Sequence, residues 1–191
     1  MTTDPYIAAS QAWVENVVIR HNFCPFAHKP ARHNLIRYAV CLSDDEQEVI
    51  NMLIDELHLL RDAAPKELET SILITPNCLK DFHHYNQFLD VIDVLLRQFN
   101  LEGVIQVASF HPDYQFADLD PGDVRNYTNR SPYPMFHLIL EDSIEKARMS
   151  QTDTESIPEK NMAVLIANGI ESAKKQLAGC FVNNLSDKPH D

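Results

Sequence analysis

The chain has 191 residues, of which 45% are hydrophobic, enough for one domain with a substantial core. Its 28 acidic residues outnumber its 16 lysines and arginines, and the net charge of −12 argues against general nucleic-acid binding, which needs a basic surface. The N-terminus lacks the pattern of a signal peptide, and no apolar stretch approaches the length of a membrane span.

The four cysteines form no C-x-x-C pair, which favours reduced thiols over a disulfide framework. Together with the missing signal peptide, the free thiols predict a cytoplasmic protein. The net charge and the lack of a long apolar stretch predict that it binds neither nucleic acid nor membrane. The cysteines are Cys24, Cys41, Cys78 and Cys180.

The first predicted element is a helix that begins at Asp4-Pro5, with Asp4 as its cap and Pro5 in the first turn. Apolar residues then recur at helical spacing through Trp13 and Val17. The helix is expected to end near Phe23, because Pro25 disfavours helical geometry at the residue before it. A cysteine, Cys24, therefore lies at a sharp bend.

Further elements follow from apolar patterning and turn residues. Ser43 and Glu46 have the spacing of a capping box, and Pro65 ends the helix that follows them. The last long helix is expected to begin at Ser156 and to stop at Gly179. The predicted strands cover residues 35–42, 71–75, 104–110 and 135–140, and the intervening helices cover 43–64 and 82–100, with a helical turn at 144–149.

The predicted element order is α-β-α-β-α-β-(long loop)-β-α. Strands joined by single helices run parallel, whereas the fourth strand, joined to the third without a helix, is expected to be antiparallel to it. This predicts a single α/β domain over residues 1–182, with a four-stranded mixed sheet covered by helices and a flexible tail at 183–191. The element order suggests a thioredoxin-like core, with a ferredoxin-like arrangement as the nearest alternative.

The segment from Ser109 to Pro134 is the predicted functional region. It connects two strands, and compact domains rarely contain so long a loop without a functional reason. It begins at the carboxyl end of a strand, where ligands gather in open α/β sheets, and the turn at 75–78 is expected to share that edge of the sheet.

His111 is the candidate general acid-base, because imidazole titrates near neutral pH. Asp113 is two residues away and is expected to orient the ring. The alternative is that His-Pro-Asp forms a turn in which Asp113 caps backbone amides.

Arg130 is the candidate binding residue for a small anionic molecule, because guanidinium groups recognise carboxylates and phosphates through paired hydrogen bonds. The alternative is that Arg130 pairs with one of the loop's own aspartates and holds the loop shut. The other residues predicted to contribute to binding are Asn126, Tyr127, Asn129, Ser131, Tyr133 and His137.

Cys24 is a candidate nucleophile, on condition that His21, His28 or His111 lowers its pKa. The alternative is a plain buried cysteine, the commoner situation for a free thiol.

No metal and no cofactor is predicted. The sequence has no H-E-x-x-H or zinc-type cysteine pairing, and its four glycines form no phosphate-binding loop. A metal site at His111, Asp113 and His137 would require the fold to bring these residues together.

Three sequence blocks resemble the signature of a bacterial family catalogued as domain of unknown function 1415. They are Phe23-Cys24-Pro25-Phe26-Ala27, the run from Ser109 to Phe116, and the run from Asn126 to Pro134. The resemblance extends from the first helix to the fourth strand and implies a cytoplasmic bacterial protein. The family's fourth-strand block ends in His-Leu-Leu-Arg-Glu, and in this chain Leu140 replaces that arginine.

Two hypotheses on function follow. The first is an enzyme acting on a small anionic metabolite through His111, Asp113 and Arg130. The second is a non-catalytic module that binds a ligand or a protein on the 109–134 loop as a rigid platform. Exposed aromatic side chains on that loop would favour the second, because aromatic residues and arginine dominate binding hot spots; the aromatic residues are Tyr114, Phe116, Tyr127 and Tyr133.

Overall fold

Four strands form one mixed sheet in the order β1-β2-β4-β3. The structure is a computed structural model that describes residues 3–63, 67–149 and 156–182. β1 and β2 are parallel, and β4 is antiparallel to both of its neighbours, as expected for its pairing with β3. The predicted mixed sheet covered by helices is confirmed. The strands are β1 (Ile36–Val40), β2 (Thr70–Ile74), β3 (Ile105–Phe110) and β4 (Met135–Leu140).

The observed order β-α-β-α-β-β differs from the β-α-β-β-α-β order of a ferredoxin-like domain, so that alternative does not hold. The predicted tail at 183–191 lies outside the described residues.

The helices are α1 (Asp4–Trp13), which continues as a π-helical segment (Val14–Ile19), α2 (His28–Arg32), α3 (Glu46–Asp62), α4 (Phe82–Gln98), α5 (Glu141–Met149), α6 (Ile157–Asn168) and α7 (Ile170–Val182).

The start of α3 differs from the predicted capping box. Asp45 is the N-cap, and its Oδ1 accepts the N–H of Gln47 at 2.9 Å. Ser43 acts one step earlier, where its Oγ accepts the N–H of Asp45 at 3.1 Å. Asp45 is favoured over Ser43 as the N-cap because its carboxylate also interacts favourably with the positive end of the helix dipole.

The C-terminal helix is divided at Gly169, whereas the prediction placed its end at Gly179. Gly169 has φ 76° and ψ 162°, a backbone conformation that is essentially restricted to glycine. Gly179 lies inside α7 and does not end it. The prediction was wrong here because helical spacing of apolar residues continues across the break.

The sheet is covered on both faces. α3 and α4 pack on one face, against Leu73, Phe136 and Leu138. α1, its π-helical extension, α6 and α7 pack on the other, against Ile72, Ile74 and Met135. Every residue of β2 is buried, which explains why its apolar residues, Ile72, Leu73 and Ile74, are consecutive and do not alternate with polar ones.

The carboxyl ends of β1, β2 and β3 lie at one edge of the sheet, because these three strands run in the same direction. α3 and α4 begin at this carboxyl edge, and the segment from Ser109 to Pro134 closes over it. No helix within residues 3–63, 67–149 and 156–182 is both long and apolar enough to cross a membrane.

Candidate functional site

His111 lies beneath the loop at the carboxyl edge, with none of its surface exposed. Its Nδ1 accepts the backbone N–H of Asp113 at 2.9 Å, and its Nε2 is 3.1 Å from the carbonyl oxygen of Leu79. An amide N–H can only donate, so Nδ1 is the acceptor and Nε2 carries the proton that it donates to Leu79. His111 is therefore a neutral imidazole with both nitrogens occupied, and burial lowers its pKa.

Aromatic rings enclose His111. The ring centroids of Phe82 and Tyr85 are 5.3 and 5.0 Å from that of His111. Tyr85 also joins two strands, because its hydroxyl donates to the Met135 carbonyl at 2.7 Å and accepts the Phe110 N–H at 3.0 Å. The first turn of α4, the last residue of β3 and the first residue of β4 are thus linked by hydrogen bonds and ring contacts around one imidazole.

The predicted edge location of His111 agrees with this arrangement, since the Leu79 carbonyl follows the turn at 75–78. The contact with Asp113 is made by its backbone N–H, while its side chain is exposed. The turn of the alternative is present, since the Tyr114 N–H donates to the His111 carbonyl at 3.1 Å, but the group that caps a backbone amide is the His111 ring and not the Asp113 carboxylate. The acid-base role stays a prediction, and it would require the ring to release one of its two hydrogen bonds.

Arg130 holds the loop closed from within. Its Nε donates to the Tyr114 carbonyl at 3.2 Å, its Nη2 donates to the Pro121 carbonyl at 2.7 Å, and its guanidinium lies 4.7 Å from the centre of the Tyr127 ring. The arginine that pairs with a loop aspartate is Arg125, 2.6 Å from Asp123. Arg130 therefore uses two of its five N–H groups on the loop's own backbone.

The predicted polar binding residues also bind the loop's backbone. Asn126 is fully buried, accepting the Phe116 N–H at 3.1 Å and donating to the Asp120 carbonyl at 2.8 Å. Asn129 donates to the Ser109 carbonyl at 3.2 Å. The buried Ser131 hydroxyl donates to the Tyr133 carbonyl at 2.6 Å. These bonds cross-link the segment and stiffen it.

The loop is anchored to the first helix by Trp13, a residue that is not among the site residues predicted from the sequence. The Trp13 indole N–H donates to the Arg130 carbonyl at 3.0 Å, and its ring meets Phe110 edge-on at 5.1 Å. Tyr133 meets Tyr6 of α1 in the same manner, also at 5.1 Å. The presence of a single tryptophan on the apolar face of the first helix was the available signal.

His137 belongs to the sheet. Its Nε2 is 2.6 Å from Thr70 Oγ1, and that hydroxyl donates to the Leu138 carbonyl at 2.5 Å, so the histidine is the donor to the threonine. Burial lowers the pKa of His137 to about 4. No described contact joins His137 to His111, and the described residues hold no cluster of three His, Cys, Asp or Glu side chains suited to a metal ion.

Cys24 follows the π-helical segment and is partly buried. Burial raises the pKa of its thiol, and the backbone N–H groups of Phe26 and Ala27 oppose this shift. Two of its expected activators bind elsewhere, since His21 Nε2 is 2.8 Å from Gln176 and His28 Nε2 is 3.0 Å from Asn22. The role of Cys24 as nucleophile stays a prediction, and its surroundings do not supply the required activation.

Partly exposed aromatic rings and carboxylates gather where the loop meets the start of α4. Tyr114 lies 5.2 Å from Phe82 and 5.0 Å from Phe116, and all three rings are partly exposed. The exposed Asp81 and Asp113 both act electrostatically on His111, which lies beneath them. We call Asp81, Phe82, Asp113, Tyr114 and Phe116 the aromatic–acidic surface.

Asp81 and Phe82 are not among the site residues predicted from the sequence. The signal that could have found them is their position just after the turn at 75–78, at the edge where the loop was expected to fold. One exposed lysine, Lys80, borders the surface.

Comparison with known proteins identifies one family. The family model described as "Protein of unknown function (DUF1415)" matches residues 5–175, which include every strand and most of the helices. No curated protein and no solved structure gives a significant match to the chain.

Proposed function

Because the chain belongs to the DUF1415 family, whose description names no activity, we propose a function from the geometry alone: a binding module with the 109–134 segment as its rigid platform. The observation that carries the proposal is the aromatic–acidic surface. Its rings are partly exposed, whereas His111 and Arg130, the residues an enzyme would need, bind the protein's own backbone.

The partner that suits this surface is a segment rich in lysine or arginine. The rings of Phe82 and Tyr114 can accept a cation, and the Asp113 carboxylate can form charge-assisted hydrogen bonds with it. Asp81 can contribute its second carboxylate oxygen, because its Oδ1 accepts the His84 N–H at 2.8 Å as the cap of α4. The net charge of −12 adds long-range attraction for a basic partner and repels the small anion of the first hypothesis.

Rigidity is the second support for binding. The hydrogen bonds of Arg130, Asn126 and Asn129 fix the loop before any partner arrives, so little conformational entropy is lost on association. The same proposal places the protein in the bacterial cytoplasm, an environment consistent with four free cysteines.

The test is an NMR titration of the ¹⁵N-labelled protein with tri-arginine amide and, separately, with citrate as an anionic probe. We expect tri-arginine to shift the amide resonances of Asp81, Phe82 and Asp113 to Phe116. Asp113→Asn should weaken this binding several-fold, by roughly the strength of one exposed ion pair.

Asp93→Asn is the matched control for the loss of one exposed carboxylate. Asp93 lies on α4, about 18 Å along the helix axis from Asp81 at its N-terminus, and is therefore far from the aromatic–acidic surface. A response to citrate centred on His111 and Arg130 would instead support the enzyme hypothesis. If neither probe shifts any of these resonances, the loop serves the fold alone and the proposal fails.

A further inference from the structure

The outer edge of β1 is an open pairing edge on the opposite side of the sheet from β3. Among the described residues, β1 pairs with β2 alone. Cys41 donates its N–H to the Ile74 carbonyl at 2.9 Å, and successive residues of a strand turn their amide groups to opposite edges. The amide groups that face away from β2 are therefore those of Ile36, Tyr38 and Val40.

An open groove of about 470 Å³ runs beside this edge. Leu59 of α3 lines it and is 40% exposed, and Ile36, Arg37 and Tyr38 line it from the strand. Edge strands that proteins protect from pairing usually carry proline or unpaired charge. β1 has no proline, and its one charged residue, Arg37, binds Glu56 of α3 through 3.0 Å hydrogen bonds.

The two ends of β1 carry opposite charges. Lys29 and Arg32, in the short helix before the strand, are exposed; Lys29 pairs with Glu69, and the exposed Glu67 lines the groove at this end, so Arg32 is the cation that can face a second copy. After the strand come the exposed Asp44 and Asp45. A second β1 lying antiparallel to the first would bring the basic end of each strand toward the acidic end of the other.

We propose that β1 pairs antiparallel with β1 of a second copy of this chain, about a two-fold axis centred at Tyr38. Ile36 then faces Val40 of the second copy and Tyr38 faces its own counterpart, and each such pair exchanges both backbone hydrogen bonds. Arg32 is drawn toward Asp44 of the second copy. The two four-stranded sheets become one continuous sheet, and the contact is isologous, as closed dimers require.

The other edge of the sheet, at β3, does not offer this complementarity. The cavity beside it, of about 340 Å³, is lined by three acidic residues of α5, Glu141, Asp142 and Glu145, against one cation, Arg148. Pairing two β3 edges would place like charges together in a protein that is already strongly acidic. The charge distribution therefore selects β1, and this inference does not depend on the binding function proposed above.

The first test is sedimentation equilibrium of the full chain from low to high micromolar concentration, with Tyr38→Pro and Tyr38→Ala as a matched pair. Both variants lose the tyrosine side chain, but only Tyr38→Pro loses the outward N–H. Proline is tolerated on an edge strand where the N–H faces solvent, so β1 and β2 stay paired. We expect a dimer whose dissociation constant rises roughly tenfold or more from Tyr38→Ala to Tyr38→Pro.

The second test is a charge exchange, which leaves the backbone of β1 intact. Arg32→Glu and Asp44→Lys should each weaken the dimer, and the double variant should restore it, because the introduced carboxylate of one copy then meets the introduced ammonium group of the other. This rescue distinguishes the proposed contact from a general effect on folding, and it stands even if Tyr38→Pro fails to fold.

Hydrogen exchange read by mass spectrometry locates the contact. Amide protection at Ile36, Tyr38 and Val40 should rise with protein concentration, while β3 stays unchanged. A chain that remains monomeric at all concentrations overturns the proposal. The open edge of β1 would then be available to pair with an extended segment of another protein. A dimer that is indifferent to both the Tyr38 pair and the charge exchange overturns it as well.

Discussion

Asp113 donates its backbone N–H to the Nδ1 atom of His111, two residues earlier, across 2.9 Å. This bond makes the imidazole the centre of a closed turn. The opposite nitrogen donates to Leu79, so one ring connects the end of β3 to the segment that leads into α4. A histidine in this position contributes to stability first, whatever else it does.

We therefore expect His111→Ala to destabilise the fold by about 2–4 kcal/mol, since it removes two hydrogen bonds and leaves a cavity between Phe82 and Tyr85. Urea denaturation measures this change. His83→Ala is the control, because His83 is exposed on α4 and its loss should cost little. An unchanged midpoint for His111→Ala would contradict the structural role and return the ring to the enzyme hypothesis.

A second prediction concerns stability at acid pH. The pKa of His137 is about 4 in the folded protein, below the ordinary value of 6.5, so the unfolded chain takes up this proton first as the pH falls. The contribution of the neutral His137 is complete above about pH 6.5 and is lost as the pH falls toward 4. His111, whose pKa is also lowered, adds to the loss in the same direction.

His137→Gln should flatten this dependence, because glutamine keeps a donor for Thr70 and does not titrate. We expect the variant to lose on the order of 1–3 kcal/mol less stability than the wild type between about pH 7 and pH 4.5. Denaturation curves at several pH values provide the measurement, with the exposed His83→Gln as control. Parallel pH profiles for wild type and His137→Gln would show that the buried imidazole is not responsible.

A third prediction concerns Cys24. Because burial raises its pKa, its thiolate fraction at neutral pH is small, and iodoacetamide should modify it slowly. Mass spectrometry of each cysteine against pH gives the rates, and the same chain in urea gives the rate of an unprotected thiol. We expect Cys24 in the folded chain to react more slowly than in urea at every pH. Fast labelling at mildly acidic pH would restore Cys24 as a nucleophile.

A fourth prediction compares two glycines of the C-terminal helices. Gly169 has a backbone conformation that side chains disfavour, so Gly169→Ala should destabilise the protein by about 1–3 kcal/mol. Gly179 lies within α7 with no atom near the position of an added Cβ, so Gly179→Ala should stabilise it by about 0.5–1 kcal/mol. Thermal unfolding separates the two. Shifts of the same sign in both variants would contradict the division of the helix at Gly169.

The sheet was largely predictable, because its strands are short, largely apolar runs bounded by turn residues such as Asn34, Pro76, Gly103 and Pro134. Its strand order was not. The absence of a helix between β3 and β4 predicts that they pair antiparallel, but no pattern in β4 says that its other side pairs with β2. No residue of β4 is exposed, so its sequence lacks the alternation of apolar and polar residues that would mark one face as solvent-exposed. Its pairing with β2 is decided by tertiary packing, which the pattern of residue types does not reveal.

The position of the 109–134 loop over the carboxyl edge of the sheet was predictable from the order of the elements along the chain and the length of the loop, whereas the partners of its side chains were not. Arg130 binds the carbonyls of Tyr114 and Pro121, and carbonyl groups are the same in every residue. The choice between an anion and the loop's own backbone as the partner of Arg130 is therefore invisible in residue types. Trp13 shows the same limit, since its acceptor is a carbonyl 117 positions away in the chain.

The insertion of β4 between β2 and β3 has a consequence for synthesis on the ribosome. Until residues 135–140 emerge, β2 and β3 each lack the neighbour that they share, and both present an unpaired edge to other nascent chains. A product that ends within the loop would carry two such edges at once. Premature termination before Met135 should therefore yield fragments that depend on chaperones, whereas termination after β4 should leave a sheet whose interior is already closed.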